Sequence, residues 1–173
     1  MALLAWLFPP APEPLGGVRR GRLVVARGRV VPRDRIESPL TGERCVYYRY
    51  LVEEWRRGSV NVVDTGLWHA VEQDEAIAEF YLDDGTGRAL VEPTGAEIDY
   101  RAPHGPVPVA LPAGRRASEL RLEDGDLVEV RGVAEEVADL YDGERGYREP
   151  ATRLLLRAPD GGRLRIRRVG RVG

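Results

Sequence analysis

Glycine and proline cut this chain into short runs. Twenty glycines and 13 prolines are spread over 173 residues. Between them lie stretches rich in β-branched and aromatic residues, such as GRLVVARGRVVP (Gly21 to Pro32) and CVYYRYLVEEW (Cys45 to Trp55). Glycine and proline disfavour helix interiors and supply the backbone angles of tight turns. The expected fold is therefore all-β or mainly β. A small barrel or sandwich fits, an OB-like barrel among the options, with short helical turns.

The strand signals can be placed. Gly28 inside the first valine-rich run marks a bulge or bend. ESPLTGE turns the chain, because Pro39 presets one backbone angle and Gly42 can take a positive one. Cys45 to Trp55 then alternates, with Val46, Tyr48, Tyr50 and Val52 on the better core side and Cys45, Tyr47, Arg49, Leu51 and Glu53 opposite. A short strand is expected near Val60 to Val63, a turn at Asp64 to Gly66, and a strand from Leu67 to Glu72. QDEAIA reads as a half-turn of helix. The clearest local feature is a β-hairpin across DDGTG, Asp83 to Gly87. PHGPVPVALPAG reads as a proline-rich loop, and Ser118 to Leu122 as a helical turn. Leu127 to Val137 is a strand with Val128 and Val130 on one face, and the chain closes on a hairpin around Asp160-Gly161-Gly162.

Composition excludes several chemistries. All 26 basic residues are arginine, as a GC-rich bacterial coding sequence would give, so no Schiff-base or P-loop lysine exists. One cysteine rules out an intrachain disulfide framework. With only His69 and His104 beside it, the chain cannot form a zinc finger or ribbon. Asp83/Asp84 and Asp124/Asp126 sit beside glycines, where aspartate serves the turn itself. They fall short of a calcium loop. A nucleophile–base pair of Cys45 and His69 lacks a helix N-terminus or nucleophile elbow, and a mid-strand cysteine reads as a small packed hydrophobe. The expectation is a protein without catalytic residues, metal or cofactor.

The ends differ from the middle. Residues 1–17 form an apolar, proline-rich arm, and residues 18–173 a single β-rich domain with an arginine-rich C-terminal hairpin. The prolines make the arm a stiff spacer with Gly16-Gly17 as a hinge, and its apolar end is expected to pack back on its own domain or a second copy, to enter a partner's groove, or to dip into a lipid interface. Its Leu4, Trp6, Leu7 and Phe8 are candidate partner contacts, for self-association or a second protein. The apolar stretch Met1 to Phe8 is too short to span a bilayer and lacks a signal peptide's basic region, so a cytoplasmic place, at most at a membrane periphery, is expected. From Arg148 onward eight arginines face two carboxylates, +6, against 18 arginines and 26 carboxylates, −8, elsewhere. Arg163, Arg165, Arg167 and Arg168 are therefore further candidate contacts. A solvated strand pair with arginine outside is the plainer reading. Tyr47, Tyr48, Tyr50, Trp55 and the arginines among them have the residue types that single-stranded nucleic acid needs. Alternation splits these aromatics between two faces on an acidic body, so nucleic acid is not expected as the partner.

Three segments together carry a family resemblance: SPLTGERCVYYRYLVEE, FYLDDGTGRALVEPTGAEI and LEDGDLVEVRG. Through Ser38, Pro39, Leu40, Gly42, Cys45, Tyr48, Arg49 and Glu53, then Phe80, Asp84, Gly85, Thr86, Gly87 and Val91, then Gly125, Asp126, Val130 and Gly132, the chain resembles the GIDE or BAM ("beside a membrane") domain. That domain precedes the RING finger of mitochondrial and plastid-envelope ubiquitin ligases and occurs in bacterial membrane proteins. The match runs from about Gly21 to Glu136. RING chemistry needs a cysteine/histidine cluster that this chain lacks, so no ligase activity carries over, and the family's transmembrane helices have no counterpart here. What the resemblance implies is a β-rich scaffolding module that recruits a protein partner, peripheral membrane contact included. The alternative is an OB-like nucleic-acid-binding domain using the arginine-rich tail and the aromatic residues.

Overall fold

A computed structural model of the chain describes residues 11–58, 66–99, 107–138 and 152–171. They form thirteen strands: β1 Leu23–Pro32, β2 Ile36–Glu37, β3 Arg44–Cys45, β4 Tyr47–Arg57, β5 Gly66–Ile77, β6 Phe80–Asp83, β7 Arg88–Val91, β8 Glu97–Asp99, β9 Val107–Val109, β10 Arg115–Leu122, β11 Asp126–Ala138, β12 Thr152–Arg157 and β13 Arg165–Arg171. Five of them close a barrel in the order β1-β6-β7-β12-β11, with β1 returning to β11. All these pairings are antiparallel except β7 with β12. Counted along the barrel this is the order 1-2-3-5-4-1, with third and fifth strands parallel, the Greek-key topology of the OB fold. Of the all-β barrel or sandwich expected from the turn-rich sequence, the barrel is what forms.

Alternation builds its interior. Val24, Ala26 and Val30 point in from β1, Phe80 and Leu82 from β6, Ala89 and Val91 from β7, Val128, Val130 and Ala134 from β11, and Leu156 from β12. Each is essentially inaccessible to water. Gly28 takes an inward position where β1 leaves β11 for β6. A Cβ there would lie 2.6 Å from the Asp83 carbonyl, so the expected bend is a close backbone crossing.

The DDGTG hairpin forms as read, pairing β6 with β7. Asp84 is its anchor. One carboxylate oxygen accepts the Thr86 N–H (2.8 Å), the Thr86 hydroxyl (2.8 Å) and the Gly87 N–H (2.9 Å), and the other accepts the Leu15 N–H (2.7 Å). Partial burial pushes this carboxyl up, but the four donated bonds outweigh it and hold Asp84 below the usual range. The same anchor changes the reading of the arm. Glu13 N–H reaches the Val25 carbonyl at 2.8 Å, Leu15 is buried in the barrel core, and a 3-10 turn runs through Leu15–Gly17. Leu15 and Gly16 are therefore docked on the barrel, with Gly17 bonded to Pro14 in the same turn, and the pair is not a free hinge. Asp84→Ala should cost about 1–2 kcal/mol. The depressed carboxyl contributes fully above about pH 4, the unfolded value, and less as pH falls through its folded value. The variant should therefore lose less stability than the parent between pH 5 and 3, as read by urea denaturation.

Other expectations give way. QDEAIA continues β5 as strand, and Ser118 to Leu122 belong to β10. Both segments alternate once they are paired on β4. Val107–Val109 in the proline-rich segment make an edge strand, where Pro108 needs no ladder donor. β12 and β13 do not form a hairpin with each other. They lie one after the other along the same edge of β11, on residues 133–138 and 126–131. Asp160-Gly161-Gly162 turns an excursion between them. The strand expected at 60–63 lies outside the described residues, as do Leu4, Trp6, Leu7, Phe8 and His104.

Candidate binding surface

Two insertions in the barrel meet to make a second sheet. Residues 33–79 separate the first two barrel strands, and residues 92–125 separate the third from the fourth. Together they supply an antiparallel sheet in the order β5-β4-β10-β9. Val46 joins it to the barrel: its N–H donates to the Leu122 carbonyl (2.9 Å) and its carbonyl accepts the Ala78 N–H (2.8 Å). The chain bends at Val46, which corrects the single alternation read through Cys45 to Trp55. Val46 and Tyr47 enter the barrel core, whereas Cys45, Tyr48, Tyr50 and Val52 build a second core with Ala117.

The SPLTG loop roofs that second core through a buried carboxylate. Glu119 is almost fully buried on β10. It accepts the hydroxyl of Ser38, the hydroxyl of Thr41 (2.9 Å) and the guanidinium of Arg121. Arg121 also donates to Glu123 at 2.9 Å. The Ser38 carbonyl accepts the Gly42 N–H (2.8 Å), closing the turn, and Gly42 has the expected positive φ of 72°. Leu40 and Ile36 then pack against the cluster of Cys45, Tyr48, Tyr50, Val52 and Ala117. The stretch is thus a lid clamped by charge.

Cys45 lies under this lid, with its thiol facing the Ile36 carbonyl at 3.8 Å. Burial pushes the thiol up to about 11. His69 stands opposite Glu54, at the far end of β4 from Cys45. The thiol should resist alkylation at pH 8 in the folded protein and react once denaturant opens it, and Cys45→Ala should cost about 1 kcal/mol. Rapid labelling without unfolding would show that the lid opens on its own.

The tyrosines carry their polar ends to β5. Tyr48 donates to Asp74 (3.0 Å), Tyr50 to Glu72 (2.7 Å) and Tyr47 to Glu75 (3.3 Å). The Glu72 bond and loss of solvent push Tyr50 up to about 12, and desolvation raises Tyr47 and Tyr48 as well. Among the described residues no arginine bridges these three carboxylates. Many others are matched, Glu53 with Arg116 (2.6 Å), Glu135 with Arg157 and Asp124 with Arg35 (2.9 Å) among them. β5 is also an edge. β4 pairs with its inner side along the whole length, and no described strand lies on its outer side. On the face away from the lid a groove of about 640 Å³ runs past Arg49, Leu51, Gln73, Glu75 and Ser118. The distal end of the sheet carries Trp55 and Trp68, edge to face at 5.4 Å, with Arg116 4.4 Å over Trp68. Leu67 beside them is 69% exposed.

The arginines singled out by charge counting sit elsewhere. Arg165 pairs with Glu97 (3.3 Å), Arg167 with Glu129, and Arg168 with the buried Asp126 (2.9 Å). Arg171 pairs with Glu123 (2.8 Å). Arg163 is exposed in the excursion before β13. Most of the basic tail is thus neutralised on the acidic body. Among the described residues no group of histidine, cysteine and carboxylate side chains has a metal-holding geometry, and no helix is long and apolar enough to cross a membrane. No family model, curated protein or solved structure matches the chain.

Glu119 and the acidic β5 edge are the two features the sequence reading passed over. Their signal was present. SELRL alternates charged and apolar residues, which fits a strand with one polar face better than a helical turn. EQDE places carboxylates on both faces of such a strand.

Proposed function

We propose that this protein is a non-enzymatic interaction module of GIDE/BAM type, in which the barrel is the base and the second sheet recruits a protein partner. The observation that supports this most is the outer side of the twelve-residue β5, solvent-facing and without a described strand beside it. Proteins usually shorten, cover or pair such edges, because an open row of backbone donors and acceptors invites another strand. A cytoplasmic place beside a membrane is proposed on the family resemblance alone. The nucleic-acid alternative draws on the barrel topology, but Arg165, Arg167, Arg168 and Arg171 of its basic tail are held by carboxylates of the same chain.

The test is site-specific photo-crosslinking in the native host, with the photoreactive residue at Gln73 on the second sheet or at Tyr81 on the outer barrel wall. A polypeptide adduct from Gln73, reproduced with the purified partner, is the expected result. Nucleic-acid adducts from Tyr81 with none from Gln73 would move the function to the barrel and reject this reading.

A further inference from the structure

Resting on that reading, we infer that the outer edge of β5 takes an extended arginine- or lysine-rich segment of another polypeptide as an added strand. The usable edge is the part next to the barrel. β5 carries a bulge: Val52 pairs with Glu72 but Glu53 pairs with Ala70, leaving Val71 without a partner. A bulge twists an edge away from further pairing. From Glu72 to Ile77 the register is regular, a span of ~20 Å that suits a strand of ordinary length.

Charge selects the occupant. Glu72 and Asp74 point to the face of Tyr50 and Tyr48, and Glu75 to the opposite face, where Gln73 lines the groove. A strand laid along this edge therefore meets carboxylate on whichever face its side chains fall. The tyrosine hydroxyls orient these carboxylates without cancelling their charge; Arg49 stands opposite Glu75 across β4, so the Glu72/Asp74 face is the more strongly acidic of the two. Opposite charges across neighbouring strands stabilise, and like charges opposite each other destabilise. A second copy pairing β5 to β5 would set the two acidic runs against each other, so self-pairing is selected against. The chain's own segments outside the described residues do not complement the edge either: 1–10 has no charged side chain, 59–65 one aspartate, 100–106 one arginine, and 139–151 four acidic residues against two arginines. The basic C-terminal strand is already placed on β11.

The probe is a short synthetic peptide of alternating arginine and valine, with serine or glutamate replacing arginine in two controls. Binding is read by fluorescence anisotropy on the full chain, and backbone pairing by amide hydrogen exchange. The arginine peptide should bind and slow exchange of amides within residues 72–77. The triple variant Glu72→Gln, Asp74→Asn, Glu75→Gln keeps an acceptor for each tyrosine and should weaken binding by ~10-fold or more. Equal binding of the serine peptide, unchanged affinity of the triple variant, or binding without protection in residues 72–77 would overturn the inference. So would dimerisation of the chain alone that protects the same amides. Failure of the peptide with a Gln73 crosslink intact removes the basic-strand inference and spares the module. Loss of the crosslink while the peptide still binds and protects 72–77 does the reverse.

Discussion

Glu119→Ala should destabilise the protein by about 3–5 kcal/mol, a large part of the ~5–15 kcal/mol that holds a domain together. The residue is 2% exposed, and its carboxylate is the common acceptor for Ser38, Thr41 and Arg121. Truncation leaves two hydroxyls and a half-buried guanidinium facing a void, with Glu123 as Arg121's remaining carboxylate. The loss is large because the buried Ser38 hydroxyl loses a charged acceptor and Arg121 loses the more buried of its two carboxylates, whatever the net worth of the intact pair. The lesion should also be directional. The SPLTG lid loses its clamp first, so Cys45 should become reactive to alkylation at denaturant concentrations that leave the barrel closed. Ser38→Ala removes one bond and should cost about 1–2 kcal/mol. Glu119→Gln keeps the acceptor but not the charge and should fall between the two. Urea denaturation monitored by tryptophan fluorescence, together with thiol labelling, measures both effects. A Glu119→Ala protein within 1 kcal/mol of the parent would mean the lid is held by its apolar packing against the second core instead.

The features legible in the sequence are those whose cause is local. The DDGTG hairpin could be read because aspartate and glycine chemistry fixes the turn within five residues, and β11 could be read because alternation continues for most of its length. Barrel closure was not legible in detail. It depends on β1 meeting β11, a pairing of residues about a hundred positions apart that no window of sequence contains. β10 misled for a different reason: a charged residue is normally placed outside, and Glu119 is inside because Ser38 and Thr41, some 80 residues earlier, satisfy it. Charge counting is blind on the tail in the same way. Net charge records how many arginines a segment has and is blind to Glu97, Asp126 and Glu129, which take up three of the four arginines named there. The acidic edge of β5 is the converse case. Its carboxylates look like solvated surface until the structure shows each one accepting a tyrosine hydroxyl, with Arg49 opposite Glu75 as the one arginine across the strand pair.

Gly132→Ala should cost about 3 kcal/mol, at the upper end of overpacking, although alanine suits a strand backbone better than glycine in general. The position is singular in the barrel. On one edge of β11, Gly132 faces Val24 of β1. On the other edge it sits at the break between β12 and β13, because Val133 pairs with Arg157 and Arg131 pairs with Arg165. The chain between those two partners leaves the sheet at Ala158 and re-enters through Leu164, whose side chain is fully buried in the barrel core. It can re-enter there because residue 132 has no side chain. A Cβ would come within 2.6 Å of the Arg157 carbonyl and would also strike the Leu164 side chain. A rotamer change at Leu164 could clear the second obstruction. The first is backbone, so either β11 moves away from β12 or Leu164 withdraws from the core. Gly170, on β13, is the control, since nothing lies within 4 Å of a Cβ there and its φ is not positive. Gly170→Ala should change stability by less than about 0.5 kcal/mol. Equal denaturation midpoints for the two variants would mean that the excursion from Ala158 to Leu164 does not depend on the gap at Gly132. The expected result, a large loss at Gly132 alone, would place barrel closure on one missing side chain in the segment LEDGDLVEVRG.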